Sequence, residues 1–360
     1  MKITDIDIAG RDIPIADDFP VSYESHTTTD HVFVRLHTDA GLTGDGEGTA
    51  LPWFTGETTA SMVAFVEDWL APRIVGKEMD TAVADVTAFA EAFPANPGAK
   101  TAVELALLDL RGKRVGAPVH ELLGPTANHE IPCVYPVPGL PPDRAAAVAR
   151  KGLDAGFTQF KIKATGDVDA DVDRIDAVTE LLPADATARV DPNTSWETFP
   201  RAKRVVDELA DPEKIEYFEQ PVAPDRPDDL RRLWDATGIP VFADEFVHGP
   251  ADVERLGRDH LAAGVHLKLA KTGSLSTLAH LAETARHHGM KATAVSAFGT
   301  SLEVSAVLHL AATLPNIPSA CELDPSLISD DPTIDPIVVE PTVTPPDGPG
   351  LGVELDDTVF

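Results

Sequence analysis

Along the first fifteen residues, MKITDIDIAGRDIPI, a charge interrupts every apolar pair, so the core of about 7 to 15 apolar residues that marks a secretory leader is missing. Residues 31–38, HVFVRLHT, alternate like a strand, and AGLTGDGEG supplies a turn and a second short strand. Two helical stretches follow, one beginning within 57–62 and one over 100–115. In the latter Val103, Ala106, Leu107, Leu110 and Val115 recur near helical spacing. These elements predict an α+β unit over 1–125.

After Pro125 short apolar strands alternate with amphipathic helices, the pattern of parallel βαβ units. Eight strands are predicted, over 131–137, 157–164, 187–191, 215–219, 241–244, 265–269, 292–296 and 320–323. Eight strands joined by helices point to a closed (β/α) barrel over 126–325. No G-x-G-x-x-G follows the first of them, so a dinucleotide site is not expected. Beyond Asp330 the chain is rich in Pro and Gly (EPTVTPPDGPGLGVEL), which fits a segment over 326–360 wrapping back on another part of the fold.

Composition narrows the choice of partners. The 360 residues are enough for one large α/β domain or two domains, and a hydrophobic share of 43% belongs to a globular chain. Acidic residues number 59 against 29 basic ones, a net charge of −30, so polyanions such as nucleic acid or an anionic membrane are repelled. This acid-rich, lysine-poor balance resembles proteins of high-salt cytoplasm, where salt screens hydrated carboxylates. No run of about 18 apolar residues appears, and a soluble, cytoplasmic protein is expected. Two cysteines, Cys133 and Cys321, read as buried thiols, too few for a disulfide framework.

In a barrel of this kind chemistry sits at the C-terminal ends of the strands. The second strand, FKIKA, puts Lys161 and Lys163 on one side; the third ends in Asp191, the fourth in Glu219 and the fifth in Asp244, and the sixth contains Lys268. Three carboxylates flanked by lysines suit a divalent, oxygen-seeking cation such as Mg²⁺. Such a metal, chelated by a substrate carboxylate, stabilises the enediolate formed when the adjacent α-proton leaves, and lysines on opposite sides can serve both faces of the carbanion. Singly, each residue has a plain structural reading: a strand-end Asp caps the next helix and a strand Lys reaches to solvent. The ordered row of them carries the weight.

The chain resembles the enolase superfamily in its muconate-lactonizing-enzyme branch. The resemblance rests on AVELALLDLRGKRVGAPVHELLG (102–124), the Lys161 and Lys163 pair, RVDPN (189–193), EQP (219–221), ADE (243–245) and KLAKTGS (268–274). It implies an α/β fold: a (β/α)₇β TIM-type barrel under an N-terminal α+β capping domain that the C-terminal tail completes. It implies Mg²⁺ held by Asp191, Glu219 and Asp244, with Asn193 and Glu245 in support. Lys163 is then the base on one face and Lys268 the group on the other. Lys161 would tune Lys163 and bind the substrate carboxylate. A mandelate-racemase-type site would carry a His at the end of the seventh strand, and ATAVSAF has none; His248 and His266 read as structural.

The eighth strand ends CELDPSL, placing Glu322 and Asp324 on one side. Dipeptide epimerases of the branch carry two acids here for the substrate ammonium, while its cycloisomerases carry a Glu, and Asp324 favours epimerisation of a dipeptide or amino-acid derivative. A muconate-type cycloisomerase and an o-succinylbenzoate-synthase-like dehydratase remain alternatives. So do two readings of another class, a Schiff-base lyase and a non-catalytic barrel. Gly299 stands where many relatives carry an acid. Residues 21–29 and the loop LPWFTGET, with Trp53 and Phe54, read as a lid. The expected partner is a small carboxylate substrate, with a homo-oligomer as the expected state.

Overall fold

The alternation of isoleucine with charge in the first residues, read above only as the absence of a leader, folds into strand β1 (Ile3–Pro14). It pairs antiparallel with β2 (Thr28–Thr38), which pairs with β3 (Thr43–Ala50). Alternate residues of β3 are Gly44, Gly46 and Gly48, and a Cβ on them would fall 2.3, 1.9 and 2.1 Å from the backbone oxygens of Ala106, Ala102 and Gly98. Glycine is therefore required for β3 to lie directly on the helix Pro97–Val115, and Asp45, Glu47 and Thr49 take the strand's other face. That helix starts with a proline in its first turn and stops at Gly116, whose φ is 71°. The structure is a computed structural model and describes residues 1–16, 27–93, 95–318 and 320–360.

The predicted first strand of the second unit divides. Its start, β4 (Ile131–Pro132), pairs antiparallel with Thr342–Val343 near the C-terminus, and only β5 (Tyr135–Val137) enters the large sheet. Next come β6 (Gln159–Lys163), β7 (Thr187–Asp191), β8 (Ile215–Glu219), β9 (Val241–Ala243), β10 (Gly264–Lys268) and β11 (Lys291–Val295). They form one parallel sheet in sequential order, β5 to β11. The eighth predicted strand appears as two isolated bridges, one to the end of β11 and one to the segment between β4 and β5. The Glu322 N–H donates to Ala294 O (3.1 Å), the Ser296 N–H to Glu322 O (2.9 Å), the Cys321 N–H to Pro132 O (2.7 Å) and the Val134 N–H to Cys321 O (3.0 Å).

Each connecting helix buries one face against the strands. In Phe199–Glu208, for example, Ala202, Val205 and Val206 are buried while Arg204 is exposed. The main hydrophobic core fills the sheet and its helices, and it takes in Phe33, Leu105 and Leu108 from the first unit and Leu351, Val353 and Leu355 from the C-terminal segment. That segment is pinned to the first unit by the Leu351 N–H on Asp109 Oδ1 (2.8 Å), Arg35 on Leu355 O (2.9 Å) and the Ser329 N–H on Pro14 O (2.9 Å). Cys133 and Cys321 are free and buried on adjacent parallel segments, and burial pushes their thiols up to about 12 and about 11. Among the described residues no helix is long and apolar enough to cross a membrane.

Candidate active site

Because β6, β7, β8, β9 and β10 are neighbours and run the same way, their C-terminal ends share a rim. Register places Lys163 beside Asp191 and Val190 beside Phe218, so Asp191 and Glu219 end adjacent strands. Asp244 follows β9 directly, and Lys268 is the last residue of β10. Lys163 and Lys268 thus stand on opposite sides of three carboxylates, all fully buried.

Lys161 is the hub. Its Nζ lies 2.9 Å from Asp191 Oδ2, 3.0 Å from Glu219 Oε1 and 2.6 Å from Glu322 Oε2. Burial works against its charge, but the three carboxylates outweigh burial and hold its pKa well above the usual lysine value. Lys163 Nζ sits 2.6 Å from Asp191 Oδ2 and 3.1 Å from Asn193 Oδ1. Asn193 in turn donates its backbone N–H to Asp191 Oδ1 (2.8 Å) and its side-chain amide to Glu245 Oε1 (3.2 Å), so both expected supporting residues join the cluster. On the far side Lys268 bonds Asp244 Oδ2.

The carboxylates differ electrostatically. Burial alone would raise Asp191, yet Lys161 and Lys163 hold it below the ordinary range, and Lys268 and Lys271 do the same for Asp244. Glu219 goes the other way: burial and the neighbouring Asp191 push it well up, with Lys161 opposing. Glu219 Oε2 is buried and accepts no well-formed hydrogen bond from the described residues, although Lys161 Nζ is 2.9 Å away at an unsuitable angle. A buried oxygen with no well-formed hydrogen bond, on the middle one of three strand-end carboxylates, fits a hard divalent cation. A tighter set of metal-type donors is Glu219, His266 and Glu322, whose atoms lie within 4.8 Å of one another. There the Lys161 ammonium contacts both carboxylates, as lysines also contact Asp191 and Asp244, and His266 Nε2 divides between Tyr217 OH (3.2 Å) and Glu219 Oε2 (3.3 Å).

Three positioning residues carried no role in the sequence reading. Lys271, three after Lys268, reaches Asp244 Oδ1 at 2.6 Å. Gln220 has a left-handed φ of 34°, and its Oε1 accepts the Asp244 N–H (3.0 Å) and the Phe246 N–H (3.2 Å), tying β8 to the turn after β9. Tyr217 stacks on Phe242 and bonds His266 beneath Glu219. The motifs EQP and KLAK contained the first two; their side chains point at Asp244 only in three dimensions.

Glu322 reaches the cluster through Lys161, which outweighs burial and lowers its pKa. Asp324 has a structural task as well, its Oδ1 accepting the Ser326 N–H (2.9 Å) and hydroxyl (2.6 Å) at the turn Pro325–Leu327, and burial pushes its pKa up. His248 is exposed, and its backbone N–H joins the Asp252 cap. In the expected lid, Phe54 lies 5.4 Å from Lys268 Nζ, so the short helix Pro52–Thr55 does reach the site. Residues 21–26 and the side chain of Trp53 lie outside the described residues. Thr28 and Thr29 belong to β2 rather than to a loop, and Thr29 is buried on His31.

The chain belongs to the mandelate racemase/muconate lactonizing enzyme family: residues 4–124 match the N-terminal domain model of that family, and 144–359 match the enolase C-terminal domain-like model. It is an isomerase of the enolase superfamily, which sets aside the Schiff-base and non-catalytic readings. The L-Lys-D/L-Arg epimerase of Methylococcus capsulatus is 31% identical, covering 88% of each chain, and the chloromuconate cycloisomerase of Pseudomonas putida is 29% identical over 99% of this chain and 97% of that one. The crystal structure of N-succinyl Arg/Lys racemase from Bacillus cereus superposes with a TM-score of 0.92 at 27% identity, covering 100% of this chain and 97% of that one.

Proposed function

We propose that this enzyme removes the proton α to a carboxylate and returns it, epimerising a dipeptide or an N-substituted amino acid. The observation that carries this reading is the placement of Lys163 and Lys268 on opposite sides of Asp191, Glu219 and Asp244. In this proposal the parallel sheet closes through residues 320–323 as a (β/α)₇β barrel over 126–325. Residues 1–125 cap it, and 326–360 return to the cap. Asp191, Glu219 and Asp244 would hold Mg²⁺, a Lewis acid that would make the proton α to the substrate carboxylate more acidic. Lys161 binds a carboxylate oxygen of the substrate. Lys163 takes the proton from one face and Lys268 delivers or takes it at the other, each working as a neutral amine in one direction and an ammonium in the reverse. Glu322 and Asp324 receive the substrate's amino or acylamino end, and Phe54 shields Lys268 from water.

The racemase and epimerase names among the relatives support this choice. The ion pair of Glu322 with Lys161 favours a second reading, muconate-type cycloisomerisation, in which a single Glu suffices. A proton NMR screen in D₂O with Mg²⁺ and molar KCl decides between them, using dipeptides, N-succinylamino acids and muconate. Loss of the α-proton signal with inversion in the amino-acid compounds is the expected result. Lactone from muconate with those compounds untouched overturns it in favour of cycloisomerisation.

A further inference from the structure

Away from the lysines, two carboxylates are buried together where the first unit meets the loop after β11. Glu47, on β3, is fully buried: its Oε1 accepts the Thr300 N–H (2.9 Å), and its Oε2 accepts the Thr300 hydroxyl (2.5 Å) and the Glu303 N–H (3.0 Å). Glu303, in the first turn of the helix Ser301–Thr313, is 1% exposed. Its Oε2 accepts the Thr49 hydroxyl (2.9 Å), and its Oε1 the Ser296 hydroxyl (3.2 Å) and the Ala297 N–H (3.4 Å). Behind Glu47 stands His31, with Nδ1 2.8 Å from Oε1. A helix start needs no such arrangement, since Ser, Thr or Asn caps it without burying two acids side by side.

What the pair holds is the five-residue loop 296–300. Its first residue donates to Glu322 O, which places it on the rim beside the Lys161 cluster. Phe298 has a φ of 62°, a left-handed conformation that is unfavourable for a bulky residue and persists only where its surroundings impose it. Glu303 and Glu47 grip the loop on either side of that residue. A Cβ on Gly299 would fall 2.5 Å from Glu303 Cβ and 2.7 Å from its Cδ, so Glu303 occupies the space that a side chain at 299 would need.

We propose that Glu303, backed by Glu47, is a positioning residue: it fixes the 296–300 loop in its left-handed turn on the rim and so couples β2 and β3 of the first unit to the active site. The titratable groups facing it are Glu47 on β3 and His31 on β2; the loop brings none, and Asp331 of the C-terminal segment meets the same helix at Ser301. Burial, with Glu47 adding to it, raises the Glu303 pKa to about 7, so the clamp changes charge within the working range of most enzymes. The kinetic part of this inference rests on the proton-transfer reading above; the loop part does not.

The test is Glu303→Gln, which keeps the side chain's size but offers an amide N–H₂ to a loop whose Ser296 and Ala297 already donate. Hydrogen exchange followed by mass spectrometry should show faster exchange in a peptide spanning 296–300, by about tenfold for one lost hydrogen bond, with peptides from β6 to β10 unchanged. On whichever substrate the NMR screen identifies, KM should rise by about the same factor while kcat changes less than about threefold, and a step in KM near pH 7, expected of the wild type, should be absent from the variant. Wild-type exchange in the loop overturns the proposal, as does a fall in kcat with KM unchanged. If Glu303→Gln does not fold, Ser296→Ala, which deletes only the loop's hydroxyl donor, should raise exchange in the same peptide, and an unchanged peptide there also overturns it. If no substrate turns over, the proton-transfer reading fails and loop exchange alone decides this one.

Discussion

Lys271 Nζ lies 2.6 Å from both Oδ1 and the backbone oxygen of Asp244, while Lys268 holds the other carboxylate oxygen. Two lysines three residues apart thus converge on one buried acid. Burial lowers the Lys271 pKa and Asp244 opposes that shift. Removing one partner of a buried pair leaves the other uncompensated, so Lys271→Met should cost roughly 3 to 5 kcal/mol. Urea unfolding checks this, and an unshifted midpoint would show that Lys268 alone compensates Asp244.

Asp244→Asn keeps the shape but removes a charge from the proposed ligand set. Mg²⁺ affinity by calorimetry should fall at least about tenfold, with far-ultraviolet circular dichroism preserved. Equal affinity in the variant excludes Asp244 as a ligand.

The opposed lysines predict an asymmetry that a single base would not produce. Lys163→Ala should abolish α-deuterium exchange from one substrate enantiomer and Lys268→Ala from the other, each by about 10² to 10⁴-fold. Equal losses for both enantiomers in either variant contradict this division of faces.

Asp324→Asn isolates charge from capping, because the amide oxygen can still accept from Ser326. KM for a dipeptide with a free ammonium should rise about tenfold or more, whereas an N-succinylated substrate should bind as before. If both substrates respond alike, Asp324 acts through the turn at Pro325–Leu327 and not through the ammonium.

Glu303 also links stability to pH. Its pKa in the fold is about 7 against an ordinary 4.5, so between those values the folded protein holds a proton that the unfolded chain has released. This contribution to stability is greatest below about pH 4.5, declines as pH rises toward 7 and is flat above, by up to roughly 3 kcal/mol. Subtracting the pH–stability curve of Glu303→Gln from that of the wild type should leave this slope, and a flat difference would show that the carboxyl is not protonated in the fold.

Much of the rim was legible in the chain. Strand periodicity and the βα rhythm located β6 to β11 to within a few residues, because a buried parallel strand is mainly apolar and is bounded by polar, turn-forming residues. Lys163, Asp191, Glu219, Asp244 and Lys268 could be named because each falls at or beside a strand end, and Lys161 because it precedes Lys163 by two on the same side of β6, so that order in the sequence becomes order around the sheet. The segment AGLTGDGEG was read as a turn and a short strand, as it folds, though its glycines were not read as the surface on which a helix rests.

Contacts between residues far apart in sequence were decided only by the tertiary structure. Ile131–Pro132 pairs with Thr342–Val343, more than 200 residues away, in a two-stranded sheet of its own. Gln220 and Lys271 orient Asp244 across neighbouring strands, and Glu47 reaches Thr300 and Glu303 from another unit. Local pattern determines which elements form and which residues stand at their ends. Which side chains then meet depends on packing and on satisfying every buried charge, and no local pattern encodes that.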